Sequence, residues 1–375
     1  MISDFDEYPI HQIARPVNQP SASDRNFYDR YWFNGFDIGG AFDFEVGLGL
    51  YPNRSVMDAH FSVALDGKQH SFHASRRGPA ERSELQVGPL SIEIVRPMRI
   101  VRVSLASNAS GIACDLTFRA RTAPTQEPNN VMYDGLRLIM DSCRFTQFGA
   151  WEGYFEVEGR RVAMAALRTR GARDRSWGVR PVGEPEMGAP GLLTTDPGVY
   201  WVWAPIDFGD LCTHFRSFED RDGNPTELSA AIVPAYASLE EIPRGVESGH
   251  QEMVTATHRI EWEKGTRRPR RAEINLVARS GESHLIVLEP MMRFQMLGVG
   301  YQHPEWGHGF WKGEEATGHE KLDLIELDPL DYKHIHVHQI CKASMGDRTG
   351  FGTLETIVFG RHSRSGFTSL LDGAA

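Results

Sequence analysis

Apolar and polar residues alternate with a period of two along much of the chain. Residues 61–65 alternate in this way, the turn pair Asp66-Gly67 follows, and a second alternating run covers residues 70–75. Alternation on both sides of Asp-Gly is typical of a β-hairpin. Further alternating runs occur within residues 92–121, and Asp222-Gly223 marks a similar turn in the second half. The sequence therefore predicts many short antiparallel strands.

Helical patterns are scarce by comparison. Residues 134–140 and 238–242 carry short apolar spacings compatible with a helix, and the first of them fits a strand equally well. Many short strands joined by turn signals indicate sandwiches or barrels. The predicted fold class is all-β, with a helix content well below the typical third of residues.

The chain divides into two halves of similar character. A length of 375 residues exceeds what one ordinary hydrophobic core holds. Residues 181–197 are rich in proline and glycine, which is typical of a linker. We predict an N-terminal β-barrel-like domain over residues 1–180, a connector over 181–197 and a C-terminal β-barrel-like domain over 198–375.

Charge and cysteine usage narrow the class of partner. The net charge of −10 disfavours nucleic acid or an anionic membrane surface, since both attract basic proteins. No apolar run reaches the roughly 18 residues that a membrane-spanning helix needs, so we expect no stable membrane insertion. The acidic N-terminus does not resemble a secretory signal, and the four cysteines are widely separated. We expect a reduced, cytoplasmic protein.

The segment 171–181 holds the most concentrated mixture of charged and aromatic side chains. It combines three guanidinium groups, one carboxylate and one indole, from Arg173, Arg175, Arg180, Asp174 and Trp177. Guanidinium groups keep a neighbouring carboxylate ionised and oriented, and an indole offers a broad apolar wall. These properties suit the floor of a ligand pocket, although an exposed strand end with weak surface ion pairs fits the composition equally well.

Strand geometry limits how these groups face one another. Side chains one position apart in a strand point to opposite sides. If Asp174 faces a cavity, Arg173 and Arg175 face away, and burial raises the pKa of the carboxyl towards a range useful for acid–base catalysis. In the opposite orientation Asp174 is a structural anchor and Arg175 contacts the ligand. We favour the first arrangement.

Histidines are concentrated late in the chain. Six of the 15 lie between His303 and His338, and His334, His336 and His338 would share one face of a strand. Such neighbours are about 7 Å apart, which is too far for all three to bind one zinc ion without other ligands. We expect no metal site there and interpret the histidines as a polar face that meets solvent or a barrel lumen.

An aromatic segment, 301–312, is a better pocket candidate. It contains Tyr301, His303, His308 and Trp311, and loops with such residues commonly build binding sites. The chain carries no nucleotide-binding loop, zinc-protease motif or nucleophile elbow. The sequence therefore predicts chemistry without a cofactor.

One short motif resembles a known family. The core Asp174-Arg175-Ser176-Trp177-Gly178, followed by the aromatic run 200–203, is similar to the carotenoid 1,2-hydratase (hydroxyneurosporene synthase) superfamily, whose matching segment typically reads Asp-His-x-Trp-Gly. The resemblance implies two fused lipocalin-like (calycin-type) antiparallel β-barrels, a fold shared with fungal Diels–Alderases that form decalin rings. Arg175 replaces the histidine and cannot shuttle a proton near neutral pH. The resemblance therefore implies the fold more strongly than the reaction.

Two classes of function remain open from the sequence. The first is a cofactor-independent lyase, of hydratase, dehydratase or retro-aldol type, that acts on a hydrophobic isoprenoid or aromatic molecule, with an isomerase or cyclase as a variant. The second is a lipocalin-like carrier of a hydrophobic ligand, and a homo-oligomer is compatible with either. The candidate catalytic residues are Asp174, His308 and Arg175. The candidate substrate-binding residues are Trp177, Tyr200, Trp203, Trp151, Tyr301, His303 and Trp311.

Overall fold

The fold is built from β-strands in two sheets. The computed structural model describes residues 2–10, 14–185, 187–189, 197–244 and 250–375. Within these ranges the elements other than strands are short 3₁₀ turns, and the strands pair antiparallel. The all-β prediction is confirmed. Of the two segments weighed as helices, 134–140 forms strand and turn and 238–242 forms bends and turns.

The first sheet has 14 strands in the described part of the chain. They are β1 (Phe27–Asp37), β2 (Phe42–Tyr51), β3 (Val56–Leu65), β4 (Lys68–Arg77), β5 (Gln86–Val87), β6 (Leu90–Arg96), β7 (Ile100–Leu105), β8 (Ile112–Ala120), β9 (Thr125–Gln126), β10 (Asn130–Asp134), β11 (Arg137–Val157), β12 (Arg160–Met164), β13 (Thr169–Val179) and β22 (Glu315–Asp323). The strand order is β22-β4-β3-β2-β1-β13-β11-β8-β7-β6-β5, and β5 also contacts β3 and β4, so the sheet curls into a nearly closed barrel.

The second sheet has 10 strands within the same described ranges. They are β14 (Val199–Trp203), β15 (Ile206–Asp207), β16 (Leu211–Glu219), β17 (Pro225–Pro234), β18 (Gln251–Glu252), β19 (Thr255–Trp262), β20 (Pro269–Val277), β21 (Ser283–Gln295), β23 (His336–Met345) and β24 (Arg348–Phe359). Their order is β18-β17-β16-β14-β24-β23-β21-β20-β19. The Asp-Gly turns at 66–67 and 222–223 join β3 to β4 and β16 to β17, as predicted.

One strand crosses the division between the two halves. β22 comes from the second half of the chain but pairs with β4 at the edge of the first sheet, from Glu315 opposite Arg76 to Asp323 opposite Lys68. The division at residues 181–197 stays a prediction. Residues 186 and 190–196 of that connector lie outside the described residues.

Three layers of apolar packing hold the sheets. One core fills the interior of the first sheet and a second lies on the inner face of the second sheet. Between the sheets the outer faces of β1, β11 and β13 pack against β14, β16, β17, β23 and β24, and we call this contact the seam. Its apolar members include Trp32, Phe148, Trp201 and Trp203. None of the described residues forms a helix long and apolar enough to span a bilayer.

Candidate active site between the two sheets

Asp174 faces the seam because its strand alternates. On β13 its neighbours Arg173 and Arg175 point into the first sheet, where both are fully buried. Arg173 pairs with Glu7 at 2.5 Å, and Arg175 pairs with Asp29 at 2.8 Å. The guanidinium groups next to Asp174 in sequence are therefore neutralised on the other face of the sheet.

The Asp174 carboxyl is mostly buried but reaches solvent. Its side chain is 13% exposed, and Arg144 Nε lies 3.8 Å from Oδ2. Burial raises the pKa of Asp174 to about 6, and the negative charge of Glu127 acts in the same direction, while Arg144 opposes the rise. Such a carboxyl exchanges its proton near neutral pH, which general acid–base catalysis requires.

A buried ionic network supports Arg144 from behind. Glu127 accepts hydrogen bonds from Thr146 Oγ1 at 2.6 Å and from Arg216 Nη1 at 2.9 Å. Burial alone would raise the pKa of Glu127, but His214 and the nearby guanidinium groups hold it far below its usual range. The Arg144 guanidinium also stands 5.4 Å from the centre of the Trp201 ring, so its orientation is set by charge and by packing.

Tyr301 brings a phenol to the same seam. Arg30 Nη1 donates to the Tyr301 hydroxyl at 3.4 Å, and Arg30 Nη2 donates to the Val299 carbonyl at 3.0 Å. The Arg180 guanidinium lies 5.7 Å from the Tyr301 ring centre. Two cationic groups therefore flank the phenol and can stabilise negative charge that develops on or beside its oxygen.

His308 positions Arg180 and the tyrosine. Its Nδ1 accepts from Arg180 Nη2 at 3.0 Å, its Nε2 donates to the Val299 carbonyl at 2.8 Å, and its ring meets Tyr301 edge-on at 4.5 Å. Burial and the neighbouring Arg30 and Arg180 charges lower the pKa of His308 well below its usual value. The ring is therefore neutral and uses both nitrogens to hold its neighbours.

A carboxylate–imidazole pair, Glu355 and His336, lies beside Tyr301. His336 on β23 packs edge-on against the Tyr301 ring at 4.7 Å, and its Nε2 lies 2.6 Å from Glu355 Oε1. His338, two residues further on the same face, contacts Glu45 Oε1 through Nδ1 at 2.7 Å. Burial would lower the pKa of His338, but Glu45 and Glu355 raise it well above its usual value.

Three histidines do not share a strand face as the sequence predicted. His334 lies in the 3₁₀ turn Tyr332–His334 before β23, and its Nδ1 contacts the Asp328 carbonyl at 3.0 Å. Only His336 and His338 follow the strand alternation. The prediction was wrong for His334 because the local chain forms a tight turn, with Asp331 as its N-cap.

A known protein-family model covers nearly the entire chain. A family model described as "Family of unknown function (DUF8625)" matches residues 2–368. The chain belongs to this family. No curated protein matches its sequence.

Two solved structures share its architecture. Kievitone hydratase from Nectria haematococca is 12% identical, with a TM-score of 0.52 and coverage of 88% of each chain. A candidate AttH protein from Nitrosomonas europaea is 12% identical, with a TM-score of 0.55 and coverage of 93% of this chain and 98% of that one. The two-barrel all-β fold that the resemblance implied is therefore confirmed.

Some of the sequence-predicted site residues converge on the seam. Asp174 and Tyr301 are each partly buried, Arg30 acts on the Asp174 charge while it donates to the Tyr301 hydroxyl, and the His308 ring meets Tyr301 edge-on. Trp203 is buried in the apolar part, edge-on to Trp32 at 5.5 Å. These four residues are the part of the predicted site that the structure brings together.

The other predicted residues lie elsewhere, mostly because strand alternation turns them away. Trp151 is in the core of the first sheet and Tyr200 is in the core of the second. Arg175 is in the ion pair with Asp29. Trp177 packs near Ile2, Met98 and Phe145 on the face opposite Asp174, His303 contacts Glu320 at 3.4 Å, and Trp311 is 40% exposed against Arg77.

Sequence reasoning missed Arg30, Glu127, Arg144 and Glu355. Arg30 carries a recognisable signal, because it interrupts the aromatic strand β1, in which all 11 residues are buried. Glu355 likewise interrupts an apolar strand, β24. A charged residue inside a buried strand needs a partner, and this requirement marks it as a site candidate.

Proposed function

We propose that this protein is a lyase that adds water to, or removes water from, a small hydrophobic molecule bound at the seam. The observation that carries the proposal is Asp174, a mostly buried carboxyl with a pKa of about 6, close enough to Arg30 for that charge to act on it, while Arg30 itself donates to the phenol of Tyr301. A proton donor and a group that stabilises negative charge are what reversible hydration of a polarised double bond requires.

In this mechanism Asp174 moves the proton. In the hydration direction its protonated form donates to one substrate carbon, the water oxygen bonds to the neighbouring carbon, and the proton that this water loses returns to the Asp174 carboxylate. Dehydration reverses each of these transfers. Tyr301, with Arg30 and Arg180 around it, binds the substrate oxygen on which negative charge develops. Arg144 keeps the ionised form of Asp174 accessible, because its charge opposes the effect of burial on the pKa.

The aromatic surroundings support an isoprenoid or aromatic substrate. Trp201 packs with the partly buried Phe218 and Ile357 on the side of the seam that carries Arg144. Flat apolar side chains next to a few polar groups are typical of small-molecule sites. The fold shared with kievitone hydratase, a hydratase by name, is consistent with this class of reaction.

The test is a substrate screen in isotopic water. The purified chain is incubated with isoprenoid alkenes, prenylated phenols and unsaturated carbonyl compounds in H₂¹⁸O, and products are analysed by mass spectrometry. We expect at least one substrate to gain one water that carries the heavy oxygen. Isomerised or cyclised product without ¹⁸O would replace the hydratase by an isomerase or cyclase, and tight binding without any product would indicate a carrier.

The pH dependence of the reaction is a separate prediction. In the hydration direction kcat/KM should fall as pH rises through about 6, because the protonated form of Asp174 is lost. For dehydration, kcat/KM should instead rise as pH rises through about 6, since that direction uses the Asp174 carboxylate. Initial rates across the pH range give both curves. A limb that persists unchanged in Asp174→Asn would assign the proton transfer to another group.

A further inference from the structure

His336, His338 and Glu355 form a compact donor set at the seam. One ligand atom from each residue, a ring nitrogen or a carboxylate oxygen, lies within 4.8 Å of the others. Glu355 Oε1 is 2.6 Å from His336 Nε2 and 3.4 Å from His338 Nε2. Ligand atoms around a tetrahedral zinc ion are about 3.3 Å apart, given bonds of about 2.0–2.1 Å. Small side-chain movements would therefore open the set around one cation.

The hydrogen-bond contacts of His338 fit a metal ligand. Its Nδ1 is engaged with Glu45 Oε1 at 2.7 Å, and Glu45 is itself held by the Trp32 indole N–H at 2.9 Å. A histidine that gives its Nδ1–H to a carboxylate keeps the Nε2 lone pair for a metal. The His338 side chain is 1% exposed, and its Nε2 faces Glu355 Oε1 at 3.4 Å.

The charge around the set also favours a cation. Glu45 and Glu355 contribute two carboxylates to a buried region, with Asp43 next to Glu45 on the same strand face. A dication bound by His336, His338 and Glu355 would balance these two charges.

We infer that His336, His338 and Glu355 bind one divalent transition-metal ion, with Glu45 orienting His338. Two imidazoles and one carboxylate are a donor set that zinc accepts, and three protein ligands leave a coordination position for water. The sequence-based expectation of no metal considered three histidines on one strand. The structure replaces His334 by Glu355 from the neighbouring strand, which removes the spacing objection. This inference does not depend on the proposed lyase activity.

A similar group of residues at the edge of the first sheet does not support a second metal site. His73, His303 and Glu320 are also within 4.8 Å of one another. However, His303 Nδ1 accepts the backbone N–H groups of Glu305 and Trp306 at 3.0 and 2.9 Å. His73 Nδ1 contacts His60 Nδ1 at 2.9 Å, so neither histidine of this group is oriented by a carboxylate through Nδ1, as His338 is by Glu45. This group is an ordinary carboxylate–imidazole cluster that fastens β22 to β4.

Metal content and zinc titration of the full chain test the inference. After dialysis against a chelator, the protein is titrated with Zn²⁺ in competition with a chromophoric chelator. We expect one zinc ion per chain. We expect binding to be lost in His338→Ala and Glu355→Gln, and to be about 10–100-fold weaker in Glu45→Gln, because that variant removes only the orienting carboxylate. Co²⁺ added in place of zinc should give visible absorption bands that these variants abolish.

Two control variants separate this site from other histidines. His303→Ala removes the edge cluster, and His284→Ala removes a half-buried histidine on β21, so both should bind zinc as the parent does. Circular dichroism checks that each variant folds. If His338→Ala fails to fold, Glu355→Gln still tests the site, because glutamine keeps the shape of the glutamate side chain. The absence of zinc binding, or its loss in His303→Ala but not in Glu355→Gln, would overturn the inference whatever the outcome of the substrate screen.

Discussion

Asp174→Asn is expected to lower turnover by about 10²–10⁴-fold while substrate affinity stays largely unchanged, which is the usual effect of removing a general acid or base. Asparagine keeps the shape and the hydrogen-bonding capacity of the side chain but cannot exchange the proton. Steady-state kinetics on the substrate found in the screen, with ligand binding measured separately by calorimetry, give the two quantities.

A loss of turnover in Asp174→Asn should not come from a loss of folded protein. Burial raises the folded-state pKa of Asp174 above its unfolded value, so its contribution to stability is present at low pH and is lost as pH rises through about 6. Near neutral pH the variant should therefore be no less stable than the parent. Asp115→Asn is the matched control, because Asp115 pairs with Arg102 on an exposed strand face. Full activity in Asp174→Asn would remove Asp174 from the mechanism.

Glu7→Gln is expected to destabilise the fold by about 3–5 kcal/mol, since it leaves a buried guanidinium without its carboxylate. Glu7 and Arg173 are both 0% exposed, and they form two parallel contacts of 2.5 and 2.7 Å. Gln147 Oε1 also accepts from Arg173, but it carries no charge. Urea denaturation of the two proteins measures the difference in the free energy of unfolding.

The effect should depend on pH. Burial opposes ionisation, but Arg173 holds the pKa of Glu7 below its usual value. The contribution of Glu7 is therefore present above its unfolded pKa and is lost as pH falls through the folded value, so parent and variant should converge in acid. Glu314→Gln breaks the exposed pair with Arg77 and should change little. A similarly small change in Glu7→Gln would mean that Arg173 finds another partner.

Sequence patterns predicted local structure well because strand alternation and Asp-Gly turns are local properties. The turn at residues 66–67 follows from the Asp-Gly pair, and the opposite orientations of Asp174 and Arg175 follow from the period of two. The partners could not be predicted in the same way. Arg144 and Glu355 lie on other strands, β11 and β24, and their charges act on Asp174. The order in which strands pair brings these residues near Asp174, and that order cannot be read from their distance along the sequence.

Trp177 shows how a correct motif can still mislead. It lies three positions from Asp174, so the same alternation places it on the opposite face of β13, against Phe145 and Met98. The aromatic wall of the seam is supplied by Trp201 and Trp203, which belong to the other sheet. A motif records which residue types occur together, whereas the site depends on which side of the strand each one occupies.

The edge pairing of β22 with β4 has a consequence for synthesis. When the ribosome has made the first 180 residues, all other strands of the first sheet exist, but β4 still presents an unpaired edge. Open strand edges pair readily with foreign chains. The nascent sheet stays open until Glu315–Asp323 emerges, and the contact spans well over 200 residues of sequence. Pairing between strands so far apart in sequence is slow. The first sheet can therefore be completed only after the second half of the chain has been made.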